Sequence, residues 1–524
     1  MKKPWIKYAA VFLAAAAVFA VLEFRAPELM EFDSYFHAKM GALIMEKGLV
    51  REFPWMSFTF QRTDYANPYL LFHVYLGLWL KALPAHPFVA VKLAMLVLLG
   101  LVAAAFLKVV EAAHPKWVWP AAALLPALLV GQVYQRLISI RPHVLSILIL
   151  LLGLRAILKR KWWVLAALSF VYAYSYSAPV LLPVVALIAS SVFSLEEKRV
   201  VWQPFAFSLG GLVAGLVVNP YFPRNVYYLY AVLFKMAARQ FSIIPAELLP
   251  LLSSQVLTIN ILSFAALFLG VLAALYSGKR LSANGLFLFA TTGLFFVLLM
   301  RSFRYIEYWP FVAALGASTV LRETFADDAA ASRIMKKSAA WALGGVLLLV
   351  GAVGLRNGYR NSQPLVQYAA VKDLADFLDR EAAPGDLVYS DDWAMSMGMF
   401  YATDKVYYVL MSDPEMMRLA HPGLYVLWNL INTGQVSDRA LPLIRAIEGQ
   451  TGDEEITKLR AGIEAGLVVD RLPDILRSAF RAKWIILSHK QAGSSVDLRP
   501  LLARYPVDIE FVKWNGPFSL YRLK

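Results

Sequence analysis

The chain has no cysteine, which excludes disulfides, thiolate metal sites and cysteine nucleophiles together. Charge is scarce too. Only 17% of the 524 residues are Asp, Glu, Lys or Arg, against roughly 25% in an ordinary soluble domain. Acidic residues are the scarcer sign, 36 against 51 basic ones, so carboxylate chemistry has few candidates. The space is filled by apolar residues, 59% of the chain, where a soluble domain holds roughly 45 to 50%. Most of that surplus must face lipid. It is concentrated in apolar runs from the N-terminus to about residue 355, and a mixed-charge segment follows, so the chain divides into a membrane domain and a soluble one.

The net charge of +15 fits cytoplasmic loops and anionic lipid, and no nucleic-acid partner is expected, because basic and aromatic residues are scattered and form no stripe. Lys2, Lys3 and Lys7 flank an apolar stretch that runs to Phe24 without a clean small-residue cleavage site, so it reads as a first span with its lysines inside. The basic clusters at Lys159 to Lys161, Lys198-Arg199, Lys279-Arg280 and Lys336-Lys337 anchor the cytoplasmic side. Residues 69–83 must then not cross, since a helix of ~15 residues is about 22 Å long, short of the roughly 30 Å hydrocarbon core. The spans fall at 5–24, 88–110, 117–138, 142–158, 162–177, 179–195, 203–219, 253–277, 282–300, 307–322 and 338–355, with Pro179 offering the alternative of one kinked helix across 162–195. About eleven crossings that start inside leave the C-terminus outside, in the periplasm of a bacterial inner-membrane protein of the cell envelope. The expected domains are a transmembrane domain at 1–355, with a first outer loop at 25–87, and a periplasmic α/β domain at 356–524. In the latter, 364–381 is spaced as an amphipathic helix, and strands are expected at 387–389, 406–410, 484–487, 509–512 and 519–523. The run Asp453-Glu454-Glu455 reads as a solvated face.

This topology leaves few outward carboxylates, among them Asp33, Asp64, Glu247 and Glu307. In the string Glu31 to Gly41 a helix would put Asp33 and His37 on one face, at i and i+4, where both reach one metal or one acceptor hydroxyl. The competing reading is that Asp33 or Ser34 caps that helix. Arg136 to His143 stands at the head of the fourth span, with Pro142 in the first helical turn and Arg141 and His143 at the water boundary. A second outer cluster runs from Arg301 through Arg304 to Trp309. Arginine at a membrane edge either faces a cavity, where its planar fork suits phosphate oxygens, or snorkels beside an aromatic belt. The outer loop 219–247 reads either as a lid or as an interfacial helix, and Glu247 is its one functional candidate.

In this order of strings the chain resembles the glycosyltransferase C superfamily, and in layout is similar to the oligosaccharyltransferase catalytic subunit. The resemblance implies a glycosyltransferase C-like fold and an enzyme that moves a sugar or glycan from a polyprenyl-phosphate donor to a glycan, lipid or protein acceptor. It further implies that Asp33 is catalytic or metal-binding, that Glu247 lies near a divalent metal (Mg or Mn) and the acceptor, and that Arg304 meets the lipid phosphate. His37, Asp64, Arg141, His143 and Arg301 join these as substrate-binding candidates. Two departures stand out. Arg141-Pro142-His143 replaces the family's second acidic motif, and no Trp-Trp-Asp-Tyr-Gly string is present, the nearest being Asp391-Asp392-Trp393. A lipid or glycan transporter, or a non-catalytic envelope assembly protein, remains the rival reading.

Overall fold

The computed structural model describes residues 5–115, 118–129, 131–235, 253–278, 280–325, 337–364, 367–436, 440–489 and 496–524. The chain forms two compact units, each drawn from three segments. One comprises Met1–Met30, Pro68–Phe222 and Ala246–Gln363, the other Glu31–Asn67, Pro223–Pro245 and Pro364–Lys524.

The first unit is helical, and a helix or helix pair overlaps every expected span. By length and composition, three helices among the described residues can cross a membrane: Trp5–Glu23, Pro87–Ala113 and Ala283–Arg301. Leu70–Ala82, Trp162–Tyr172, Gln203–Val218 and Ile261–Leu272 are apolar but shorter. Outward-facing Leu13, Trp163, Leu275 and Leu348 leave large apolar surface exposed, as a lipid-facing protein requires. The segment expected as one span at 117–138 is instead two helices, Val118–Leu128, with Pro126 inside it, and Gly131–Ile138. Gly131–Ile138 and His143–Leu158 meet at 102°, and the break falls where Pro142 disfavours helical geometry for Arg141. At 173–180 the chain likewise turns between two helices that end at Tyr172 and begin at Leu181, so Pro179 does not kink a single one. Small residues govern the tightest contact. Gly211 and Gly215, one turn apart, lie against the backbone of Ala166 and Phe170, and the Ser169 and Ser208 hydroxyls bond across the same interface at 2.8 Å.

The second unit is built on a five-stranded sheet of β1 (Leu387–Ser390), β2 (Tyr407–Tyr408), β3 (Ala482–Ser488), β4 (Ile509–Asn515) and β5 (Phe518–Leu523). Strand order is β2-β1-β3-β5-β4, with β1 parallel to β2 and β3 and the remaining pairs antiparallel. Each expected strand is present. Helix Tyr368–Glu381 buries Ala370, Val371, Leu374 and Leu378 on one stripe, as the 3.6-residue period demands; Val366 lies outside the described residues. Asp453 corrects the solvated-face reading. It is buried, and its carboxylate accepts from the backbone N–H of Glu455 (3.0 Å), Gly423 (2.8 Å) and Leu424 (3.2 Å), so it caps two helices at once.

The unit also takes in residues 31–67, which the sequence assigns to the first outer loop. Tyr35 stacks on Tyr368 at 4.4 Å, and Phe53 packs on Trp55, Tyr65 and Phe400. Residues 55–57 pair with the edge of β2 through Tyr408, whose N–H donates to Trp55 O and whose carbonyl accepts from Ser57 N. Trp55 Nε1 donates to the Asp404 carbonyl at 2.8 Å, and Lys47 pairs with the Asp404 carboxylate at 3.7 Å.

Candidate active site

Helix Phe32–Lys47 carries the first group. Glu31 occupies its N-cap position with no side-chain capping bond, and Asp33 lies inside the first turn. There its charge favours the helix dipole. Asp33 is half-buried and His37 buried, and the i,i+4 spacing puts an oxygen and a nitrogen donor on one helical face, a set that suits a divalent metal or a hydroxyl. Asp64 does not join this helix. It is exposed and pairs with Arg224 at 2.7 Å. Glu247 lies outside the described residues. Among the described residues, no three His, Asp or Glu side chains gather as metal ligands.

The helical unit holds the second group. Its centre is Glu307, only 1% exposed, in the 3-10 turn Phe303–Glu307. Arg136 Nε donates to Glu307 Oε1 at 2.7 Å, and a second Arg136 nitrogen reaches the same oxygen. His143 Nδ1 stands 3.7 Å from Oε2. His143 is therefore buried against Glu307, where the sequence placed it at the water boundary. The reason is the helix break, which turns the start of His143–Leu158 inward. Beside it the Ser146 hydroxyl bonds to Tyr308 at 2.6 Å and to Tyr172, an interior chain of hydroxyls. Arg141 lies in the break, half-buried, with its N–H on the Ser139 carbonyl at 2.8 Å. Arg304 is half-buried in the 3-10 turn, and Arg301 is exposed on the last turn of Ala283–Arg301. The sequence sorted Glu307 as outward but gave it no role, and it missed the pairing with Arg136. The legible signal was a lone carboxylate in an apolar segment, which needs a cation.

In the second unit, Asp391 and Asp392 close the C-terminal end of β1. Asp391 Oδ1 accepts from Ser488 N at 2.8 Å, and Asp392 Oδ1 accepts from Ala394 N at 3.0 Å and Met395 N at 3.4 Å. Burial, with the Asp392 charge alongside, pushes the Asp391 carboxyl up to about 7.

No family model matches the sequence, and no curated protein matches it significantly. Solved structures do resemble it. The oligosaccharyltransferase of Archaeoglobus fulgidus in its apo form superimposes with a TM-score of 0.61 at 13% identity, covering 93% of this chain and 70% of that one. ArnT from Cupriavidus metallidurans gives 0.57 at 14% identity, over 99% of this chain and 98% of its own. The mycobacterial arabinofuranosyltransferase AftD gives 0.56 at 13% identity, over 100% of this chain and 40% of its own. The fold is thus that of the glycosyltransferase C membrane enzymes. The archaeal enzyme, AglB, has also been solved with an inhibitory peptide and a dolichol-phosphate, and with zinc and sulfate.

Proposed function

We propose that the chain is an integral membrane glycosyltransferase that takes a sugar or glycan from a polyprenyl-phosphate donor and transfers it, with inversion, to an acceptor on the periplasmic face. The observation that carries this reading is the position of Asp33: a half-buried carboxylate inside the first turn of Phe32–Lys47, with His37 on its face, in a fold shared with solved glycosyl and oligosaccharyl transferases. Asp33 accepts the proton of the acceptor hydroxyl as that oxygen attacks the anomeric carbon, and the bond to the lipid phosphate oxygen breaks on the opposite side. Arg304, Arg301 and Arg141 stabilise the departing phosphate, since guanidinium forks match its oxygens. His143 holds its place against Glu307, and His37 and Asp64 bind the acceptor. A divalent cation, Mg or Mn, would be held by Asp33 with Glu247 and would supply positive charge beside the acceptor oxygen. The C-terminal domain at 356–524 stands on the periplasmic side, at the end of about eleven crossings.

The test is transfer by the purified chain from a defined polyprenyl-phosphate sugar, read as release of polyprenyl phosphate. Asp33→Asn keeps the shape and removes the base, so turnover falls by roughly two orders of magnitude or more while melting stays near that of the parent. Arg304→Lys keeps charge but loses the fork and raises the donor KM. Full activity in Asp33→Asn would remove the catalytic assignment.

A further inference from the structure

The edge strand β4 does something a regular strand cannot. Phe511 and Trp514 are three positions apart, so simple alternation would send them to opposite faces. The register shifts between Phe511 and Lys513: Phe511 pairs with Tyr521, Lys513 with Leu520 and Trp514 with Ser519. Val512 is the extra residue of a bulge, and the reset brings Phe511, Trp514 and Tyr521 to one face. Phe511 and Trp514 are each 54% exposed, although both are large and apolar. Their rings are nonetheless held: Phe511 meets Tyr521 edge-on at 5.5 Å, the His489 ring lies 4.1 Å from that of Trp514, and the Arg499 guanidinium stands 5.3 Å from the Trp514 ring centre.

Phe511, Trp514 and Tyr521 line an open groove of about 750 Å³, with Asp497, Arg499, Glu510 and Lys524 among its walls. Its charges cancel in pairs. Arg499 forks onto Asp497 with two contacts of 2.8 Å, and Lys524 faces Glu510 at 3.8 Å. A site for phosphate, nucleic acid or anionic lipid would leave cations in excess, and this one does not. What remains is two fixed aromatic faces beside planar groups that both donate and accept hydrogen bonds. A pyranose ring matches that chemistry, with an apolar C–H face to lie on an aromatic ring and equatorial hydroxyls at its edge to bond guanidinium and carboxylate. We propose that the β4–β5 groove is a binding site for a neutral saccharide chain, with Trp514 as its stacking platform and Asp497–Arg499 as its polar clamp. Under the transferase reading this ligand is a glycan acceptor or product, yet binding at the groove is measurable without turnover.

The experiment uses the full chain in phosphatidylcholine nanodiscs and a panel of neutral hexamers: cellohexaose, maltohexaose, mannohexaose and chitohexaose. Saturation-transfer NMR should show at least one hexamer bound. Trp514→Ala should weaken it about tenfold or more, the equivalent of one lost aromatic stack. Trp514→Phe should stay within a few-fold, and Arg499→Gln should weaken binding with the fold intact. Asp33→Asn should bind as the parent does, which separates this site from the catalytic one. Failure of the whole panel, or unchanged binding in Trp514→Ala, overturns the assignment and leaves the transferase reading untouched. If instead Trp514→Ala reduces quenching by brominated phosphatidylcholine and no sugar binds, the face is a membrane contact and the saccharide site falls.

Discussion

Glu307 shows how one side chain fixes its surroundings. A carboxylate 1% exposed in an apolar unit is tolerable because Arg136 donates to it twice and His143 flanks it. Glu307→Gln would leave the Arg136 charge in a low-dielectric setting without its counter-charge. Breaking a buried pair from one side costs roughly 3 to 5 kcal/mol, so the variant should melt well below the parent in detergent. The double variant Glu307→Gln/Arg136→Met should recover much of that loss, and equal melting of single and double variants would contradict the pairing. Asp391 makes a different residue-scale prediction. Its folded carboxyl titrates at about 7, far above the roughly 3.9 of an unfolded Asp. Between these values the folded state holds the extra proton, so this residue lowers stability as pH rises from about 4 to about 7 and by a constant amount above that. Asp391→Asn can keep its acceptor for Ser488 N but has no proton to lose. Denaturant melts at pH 5 and pH 8 should therefore show the variant gaining on the parent at pH 8.

At the scale of elements, the segment 31–67 is the least expected part of the fold. It is held to the sheet by pairing at Tyr408 and by a cluster in which Phe53 is fully buried among Phe36, Trp55, Tyr65 and Phe400. Phe53→Ala should cost roughly 3 to 5 kcal/mol, as large aromatic truncations in cores do. Hydrogen exchange is the informative measurement. Protection should fall in helix Phe32–Lys47 and in β1 and β2 together if this segment and the sheet unfold as one cooperative piece. Loss confined to 32–67 would show that the loop docks late and separately. Helix Phe32–Lys47 carries Asp33, so the stability of this cluster and the precision of the proposed base are linked.

For the whole molecule, sidedness is the property with the widest consequences. A reporter fused after Lys524 should be active only when it functions outside the cytoplasm, because the proposed span count starts inside and is odd. Activity of a cytoplasmic reporter there would invert the outer loops and remove the rationale for a lipid-linked donor, which is that nucleotide sugars are not supplied on the outer face. The glycosyltransferase C-like fold itself rests on likeness over 93 to 100% of the chain at 13 to 14% identity.

Features that depend on local period and composition are readable from the residues alone. Apolar runs of near-spanning length mark the helices, the stripe Val371, Leu374, Leu378 marks helix Tyr368–Glu381, and short β-branched and aromatic runs mark all five strands. The placement of Asp33 and His37 on one helical face was legible for the same reason, since i,i+4 neighbours follow from helix geometry alone. The remaining features come from contacts between segments far apart in the chain. The partners Arg136 and Glu307 are 171 positions apart, and no local pattern encodes a long-range ion pair. Asp453 looked like a solvated acid because its two orphan N–H groups belong to a helix that starts thirty residues earlier. The inward turn of His143, the grouping of 31–67 with the sheet-bearing unit and the bulge that aligns Phe511 with Trp514 all arise where one segment's backbone meets another's. Such meetings are set by which buried polar groups and apolar faces remain to be satisfied after the local elements have formed.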